Sequence, residues 1–190
     1  MASVSGVKTV WQGWVYDVVT AINTSTLLSF FTVQQGQAGK TKADTNIVTP
    51  ATFTGKNAIK VKSHCVKMRD MVYTPNALAI QRGALTLFVN DTPVPDPIPL
   101  EFIMGGSSLI ESVRMAGVVA GEYRAISGPG YITNVMTFSE PGLVIIEPGD
   151  TFRADVEWAN PALALVAAPL GDDTVRLRYI LFGPRSKPTM

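Results

Sequence analysis

The clearest pattern along the chain is an alternation of apolar and polar residues near the C-terminal end. Between Thr151 and Trp158 every second residue is apolar, which is typical of a half-buried β-strand. A short apolar segment, Leu143 to Ile146, precedes it, and Glu147–Asp150 (Glu-Pro-Gly-Asp) separates the two. Proline at the second turn position and glycine at the third favour a type II turn. The pattern therefore predicts two strands joined by a hairpin or a tight corner.

Several other segments show a period of two. Thr174 to Phe182 alternates and is predicted to end at Gly183-Pro184. Ala58 to Arg69 starts with Ile59 and Val61 facing inward, and its phase then shifts, which indicates a β-bulge near Ser63–Cys65. With further candidates the sequence predicts eight or nine strands. The further candidates are Leu85–Val89, Leu27–Gln34, Leu100–Met104, Val113–Val119 and Tyr131–Phe138.

Helical signals are fewer. Val15, Val18, Val19 and Ile22 have the i, i+3, i+4, i+7 spacing of a short amphipathic helix near the N-terminus. Thr74 to Gln81, with proline second and Gly83 just beyond, has the capping signals of a second short helix. The alternating prolines Pro93, Pro95, Pro97 and Pro99 predict an extended connector with polyproline II character.

Many short strands with glycine and proline between them predict an all-β antiparallel sandwich or barrel. We find no internal repeat, so the prediction is one domain over residues 1–190. In this prediction residues 1–26 form an N-terminal arm with the short helix. Residues 27–183 form the barrel, and residues 184–190 form a C-terminal tail.

The amino-acid composition has an unusually low fraction of charged residues, and it also limits the possible kinds of functional site. Of 190 residues 46% are hydrophobic and only 16% charged, below the roughly 25% of ordinary domains. One cysteine and one histidine exclude an internal disulfide, a multi-thiolate metal site and a multi-histidine metal centre. The net charge of +1 is not that of a general nucleic-acid binder.

The charge is unevenly distributed along the chain. Residues 1–90 contain nine basic and three acidic residues, whereas residues 91–190 contain seven basic and twelve acidic residues. This asymmetry suits contacts between copies or with a charged partner, and a chance distribution is the alternative. No secretory signal is visible, and the uncharged run from Val18 to Gly39 is too polar for a transmembrane helix.

Two loops resemble catalytic or nucleotide-binding motifs, and neither motif is complete. Gly36–Thr41 ends like a phosphate-binding loop, but Gln34 stands where the first glycine is required and no helical periodicity follows. Gly105–Ser108 lacks the second glycine of a nucleophile elbow, because Leu109 takes its place. We expect a flexible glycine loop at Gly36–Thr41 and no nucleophile elbow at Gly105–Ser108.

Isolated reactive residues also have structural interpretations. Adjacent His64 and Cys65 point to opposite faces of a strand, so a Cys–His pair is not expected. Asp155 and Glu157 share a strand face and are expected to be solvated or interfacial. The basic group Lys60, Lys62 and Lys67 lacks interleaved aromatic residues. The sequence thus predicts no enzyme, no catalytic or metal-binding residue and no cofactor.

Taken together, several stretches resemble the jelly-roll capsid proteins of tailless icosahedral phages. The first is Leu28–Thr32, followed by the glycine loop, Lys42–Ile47 and the strand at Ile59–Val61. The second is the turn at Glu147–Phe152, the strand ending in Trp158, and Val175–Gly183 before a basic tail. The resemblance spans about residues 27 to 187, and at this length it implies a single jelly roll of eight or nine strands.

The resemblance implies a structural virion protein rather than an enzyme. Such a subunit assembles with copies of itself into the capsomers of an icosahedral shell in the host cytoplasm. A second capsid protein and contact with an internal viral membrane are compatible partners, and specific nucleic-acid binding is not expected. The alternative is a carbohydrate- or receptor-binding jelly-roll module, such as a lectin or fibre tip, in which Trp11, Trp14 or Trp158 stack on sugars.

Overall fold

The computed structural model describes residues 10–55, 57–69, 72–94, 97–104, 110–113, 124–126, 136–137, 144–158, 165 and 174–186. These residues contain fourteen strands, and all the sheets are antiparallel, which confirms the predicted β-sandwich character. The two helices are α1 (Thr74–Gln81) and α2 (Leu100–Ile103). The strands are β1 (Val10–Ala21), β2 (Leu27–Phe30), β3 (Ile59–Val61), β4 (Ser63–Met68), β5 (Val72–Tyr73), β6 (Ala84–Val89), β7 (Thr92–Pro93), β8 (Ile98–Pro99), β9 (Ile110–Val113), β10 (Arg124–Ile126), β11 (Met136–Thr137), β12 (Val144–Ile146), β13 (Phe152–Glu157) and β14 (Val175–Ser186).

The first sheet is built around β14. One edge of β14 pairs with β1 along its whole length, and the other edge pairs first with β4 and then with β3. Ile59 pairs with Arg185 and Ser63 pairs with Phe182. Four residue steps from β3 into β4 therefore match three residue steps along β14. This extra residue is a β-bulge between Ile59 and Ser63, just before the position predicted at Ser63–Cys65, where the pairing with β14 is regular. Strands β3 and β4 therefore form one bulged strand. Outside it lie β11 and β12.

The second sheet has the order β2, β13, β6, β7, and β8 also pairs with β6. The hairpin between β6 and β7 turns at Asn90 and Asp91, whose φ angles of 49° and 60° are those of a type I′ turn. The predicted polyproline connector is therefore wrong at its ends, because β7 and β8 are edge strands. Pro93 and Pro99 are tolerated there because an edge strand needs no N–H donor on its free side. A third small sheet has the order β5, β10, β9.

The hydrophobic core lies between the inner faces of the two main sheets. In β14 the inward residues are Val175, Leu177, Tyr179 and Leu181, as the alternation predicts. The ring of Phe30 in β2 lies 5.6 Å from that of Tyr179, so aromatic side chains of the two sheets pack together. The second sheet contributes the alternating inward residues Leu85, Leu87, Phe152, Ala154 and Val156.

The predicted turn at Glu147–Asp150 is present and resolves the choice between a hairpin and a corner. Gly149 has a φ of 94°, and the Asp150 N–H donates to the Glu147 carbonyl over 3.0 Å. Because β12 belongs to the first sheet and β13 to the second, the turn is a tight corner between sheets.

The predicted N-terminal helix and the predicted barrel boundaries are wrong. Residues 10–21 form β1, the longest partner of β14, so they belong to the first sheet rather than to an arm. Likewise β14 continues through Gly183-Pro184 to Ser186. Pro184 lies between the paired positions Phe182 and Arg185, where the bulge interrupts the ladder and no N–H is required. Residues 1–9 and 187–190 lie outside the described part.

The helix predicted over Thr74–Gln81 is confirmed. In contrast, the strand predicted over Leu100–Met104 is wrong, because Leu100 and Ile103 are buried at helical spacing in α2. The strand predicted from Leu27 ends at Phe30, since Phe31 has a φ of 69°. The strands predicted at 113–119 and 131–138 lie largely outside the described residues. Neither described helix is long and apolar enough to cross a membrane.

Candidate functional site

The glycine loop does not form a phosphate-binding site. Gly36 and Gly39 adopt φ angles of 86° and 74°, which lets the loop fold back on itself. The ammonium group of Lys40 lies 2.7 Å from a carboxylate oxygen of Asp17 and forms an ion pair with it. Residues 41–55 contain no helix, so a phosphate would meet no helix N-terminus there.

Asp17 is a buried carboxylate on the inner face of β1, opposite Tyr179 in β14. One carboxylate oxygen forms the ion pair with Lys40. The other accepts a hydrogen bond of 2.7 Å from the backbone N–H of Phe31. Burial raises the pKa of Asp17, and the hydrogen bonds from Lys40 and Phe31 oppose this shift. The arrangement fastens the glycine loop to the first sheet, which is a positioning role.

His64 and Cys65 lie on opposite faces of β4, as predicted. His64 is buried in the interior, and its Nδ1 shares a hydrogen bond of 2.7 Å with the Tyr179 hydroxyl. Cys65 pairs with Ile180 on the other face, and burial raises its thiol pKa to about 11. The thiol therefore stays protonated near neutral pH and is a poor nucleophile.

Burial of His64 makes stability depend on pH. Desolvation lowers the pKa of His64 from 6.5 to about 4. Between these two pH values the unfolded chain binds a proton at His64, whereas the folded chain does not. Stability should therefore fall as the pH drops from 6.5 to 4, with a loss of about 3 kcal/mol from this residue. Urea denaturation of wild type and His64→Gln at pH 7 and pH 4 measures this loss of stability. Equal pH dependence in the two proteins would contradict the assignment, because this is the only histidine.

Asp155 and Glu157 share the outer face of β13, as expected, but they are not equivalent. Asp155 is buried, and one of its oxygens accepts a hydrogen bond of 3.1 Å from Nε of Arg153. The same guanidinium lies 2.6 Å from Asp91 and 4.3 Å from the ring centre of Phe88. Arg153 therefore links strand β13 to the β6–β7 turn, and Glu157 remains exposed. Gly105–Ser108 lies outside the described residues.

The outer face of the first sheet carries large apolar side chains. Trp14 of β1 is 49% exposed and packs edge-on against Phe182, with 4.8 Å between the ring centres. Ile145 of β12 is 44% exposed and lies beside the exposed Lys60. Of the basic group, Lys60 and Lys62 are exposed and Lys67 is half-buried. The large apolar residues exposed elsewhere are Ile22, Leu27, Val48 and Phe102.

A cleft of about 170 Å³ opens at one end of the sandwich, beside the paired ends of β1 and β14. Its floor includes buried Val15 and Phe53, and Arg185 of β14 contributes a guanidinium group to its wall. The remaining lining residues are Asn46, Ile47, Val48, Thr52, Thr54 and Gly55.

Asp17, Tyr179 and Arg185 have specific roles that the sequence did not predict. Asp17 has no clear local signal, because Gly13 and Asp17 itself interrupt the apolar series that would identify the inward face of β1. No local signal marks Arg185, because its environment is built by loop residues distant in sequence.

Among the described residues, no group of three or more histidine, cysteine, aspartate or glutamate side chains is arranged to hold a metal ion. A comparison with protein-family models finds no match to the chain. A comparison with curated proteins likewise finds no match.

Proposed function

We propose that the two sheets form a single jelly roll. The two main sheets contain eleven strands, without the three of the small third sheet. When β3 with β4, β7 with β8, and β11 with β12 are each counted as one interrupted strand, eight strands remain. Numbered along the chain, the first sheet then has the order one, eight, three, six. The second has the order two, seven, four, five. The pairing of the first strand with the eighth and of the second with the seventh supports the jelly roll, because a long hairpin wound into a barrel has these pairs.

We further propose that the chain is a structural virion protein, a capsid subunit that assembles with its own copies into an icosahedral shell. The observation that carries this proposal is the apolar outer face of the first sheet, above all Trp14 on Phe182. Interface centres are depleted of charge and enriched in aromatic residues, and only 16% of this chain is charged. Half-exposed aromatic side chains on an outer sheet face suit burial by a neighbour.

The proposed partners are other copies of the chain in capsomers. A second capsid protein and an internal viral membrane remain compatible partners, and the proposed location is the virion, assembled in the host cytoplasm. No role in specific nucleic-acid recognition is proposed.

Self-association should depend on Trp14. Replacing Trp14 by lysine removes an apolar anchor and places a charge at the interface, so association should weaken at least tenfold. The control is Thr92→Lys, at an exposed position of β7 in the second sheet, and it should associate as wild type does. Sedimentation velocity and electron microscopy of the purified proteins measure the oligomers. A wild-type chain that stays monomeric at high concentration and is absent from purified particles would contradict the proposal.

One observation favours carbohydrate or receptor binding as a second candidate function. Trp14 offers a half-exposed ring held in place by Phe182, and such a ring can stack on a sugar. Trp158 cannot, because it is buried and its Nε1–H donates to the Ile80 carbonyl. Glycan-array binding that Trp14→Lys abolishes, in a chain that does not self-associate, would favour this function.

A further inference from the structure

We propose that the cleft beside β1 and β14 is a carboxylate-binding site anchored by Arg185. The site does not depend on the proposed role in a shell. The cleft combines a volume of about 170 Å³ with one guanidinium group in its wall. A planar guanidinium presents paired donors that match the two oxygens of a carboxylate.

The Arg185 side chain is held in place by packing, and no acidic residue of the described part forms an ion pair with it. Its aliphatic part lies directly over Gly13, in the space that a larger residue would fill. Its guanidinium carbon lies 5.5 Å from the ring centre of Phe53, within the range of a cation–π contact. The described ion pairs involve Lys40, Arg69 and Arg153 instead. Within this described part, Nε of Arg185 is buried and has no hydrogen-bond partner.

The cleft is already formed by hydrogen-bonded walls. The side-chain amide of Asn46 donates to the Trp14 carbonyl over 2.7 Å and accepts the Tyr16 N–H over 3.0 Å. The Phe53 N–H donates to the Asp150 carbonyl over 2.9 Å, which fixes the opposite wall to the corner between the sheets. The walls are therefore held in place before a ligand binds, and this lowers the cost of binding.

These features favour a carboxylate on a short aliphatic stem. A single guanidinium balances one negative charge, and a carboxylate held by it gains charge-assisted hydrogen bonds. Phe53 and Val15 offer apolar surface to the stem, and Thr54 brings a hydroxyl group to the rim. Such a ligand is either a free small carboxylate or an acidic side chain of a second copy.

Titration of ¹⁵N-labelled protein with glutarate tests the site directly. We expect saturable shifts of the Arg185 Nε–H resonance and of the Gly13 and Phe53 amides, beyond those caused by sodium chloride at equal ionic strength. Arg185→Gln should weaken binding tenfold or more. Gly13→Ala should also weaken it, because the added methyl group displaces the Arg185 side chain. Arg82→Gln, at an exposed position outside the cleft, is the matched control and should bind as wild type does.

The spectra also report whether each variant is folded, so loss of binding is separable from loss of structure. Shifts that do not saturate, that chloride reproduces, or that persist in Arg185→Gln would overturn the assignment and leave the proposed function untouched. Sedimentation with and without glutarate distinguishes the two sources of the carboxylate. Dissociation of oligomers by glutarate assigns the site to an acidic side chain of a neighbouring copy. Glutarate binding without dissociation assigns it to a free carboxylate.

Discussion

Replacing Gly183 by alanine should unfold the protein or lower its free energy of unfolding by more than about 4 kcal/mol. A methyl group on this residue would collide with the backbone carbonyl of Lys60 and lie 3.1 Å from Cα of Val61. The backbone of β3 cannot move aside, because β3 is paired with β12 on its other edge. Both partners are main chain, so no rotamer change relieves the collision.

Gly13 provides the matched control for this substitution, since it lies directly opposite Gly183 in the pairing of β1 with β14. The three atoms nearest to a methyl group at Gly13 would all belong to the side chain of Arg185, which can rotate away. Gly13→Ala should therefore cost less than about 1.5 kcal/mol. Urea denaturation followed by circular dichroism measures both variants. A Gly183→Ala protein as stable as Gly13→Ala would show that β3 yields more readily than its pairing implies.

Replacing Asp17 by alanine should cost about 3–5 kcal/mol of stability. The substitution leaves the largely buried ammonium of Lys40 without its counter-charge and the buried Phe31 N–H without its acceptor. Removing one partner of a buried pair carries the full cost of desolvating the other. The glycine loop should also detach, and hydrogen exchange of residues 31–45 would reveal this.

A double variant separates the ion pair from the hydrogen bond. Because burial raises the pKa of Asp17 despite its pairing with Lys40, desolvation of the carboxylate outweighs the attraction between the charges. Asp17→Asn with Lys40→Met keeps an acceptor for the Phe31 N–H and removes both charges. It should lie within about 1 kcal/mol of wild type in the same urea experiment. If it proves as unstable as Asp17→Ala, the charges themselves are required.

Strands whose signals are local could be predicted from the sequence. In β13 an uninterrupted alternation from Phe152 to Trp158 is bounded by a Pro-Gly turn, and the predicted apolar residues are buried. Asp155 on the opposite face is buried as well, which the alternation did not predict. The phase shift near Ser63 likewise indicated a bulge, which the pairing with β14 confirms. In both places the local pattern and the tertiary environment require the same arrangement.

The N-terminal strand could not be predicted in the same way. Glycine at position 13 and aspartate at position 17 weaken the period-two series of β1, whereas Val15, Val18, Val19 and Ile22 match helical spacing by coincidence. Pairing with β14 decides the outcome, and that contact joins opposite ends of the chain. The cleft could not be predicted from the sequence either, because Arg185 is far from Phe53 and Gly13 along the chain and contacts them only in the folded protein.

The position of β14 at the centre of the first sheet also bears on how the chain folds during its synthesis. Until a ribosome has made residues 175–186, β1 and the bulged strand have no neighbour between them. The first sheet therefore cannot close before these residues are made, and until then its apolar residues remain without partners, as in other folds dominated by long-range pairing. A chain that stops before residue 175 would lack β14, the strand with which both β1 and the bulged strand pair.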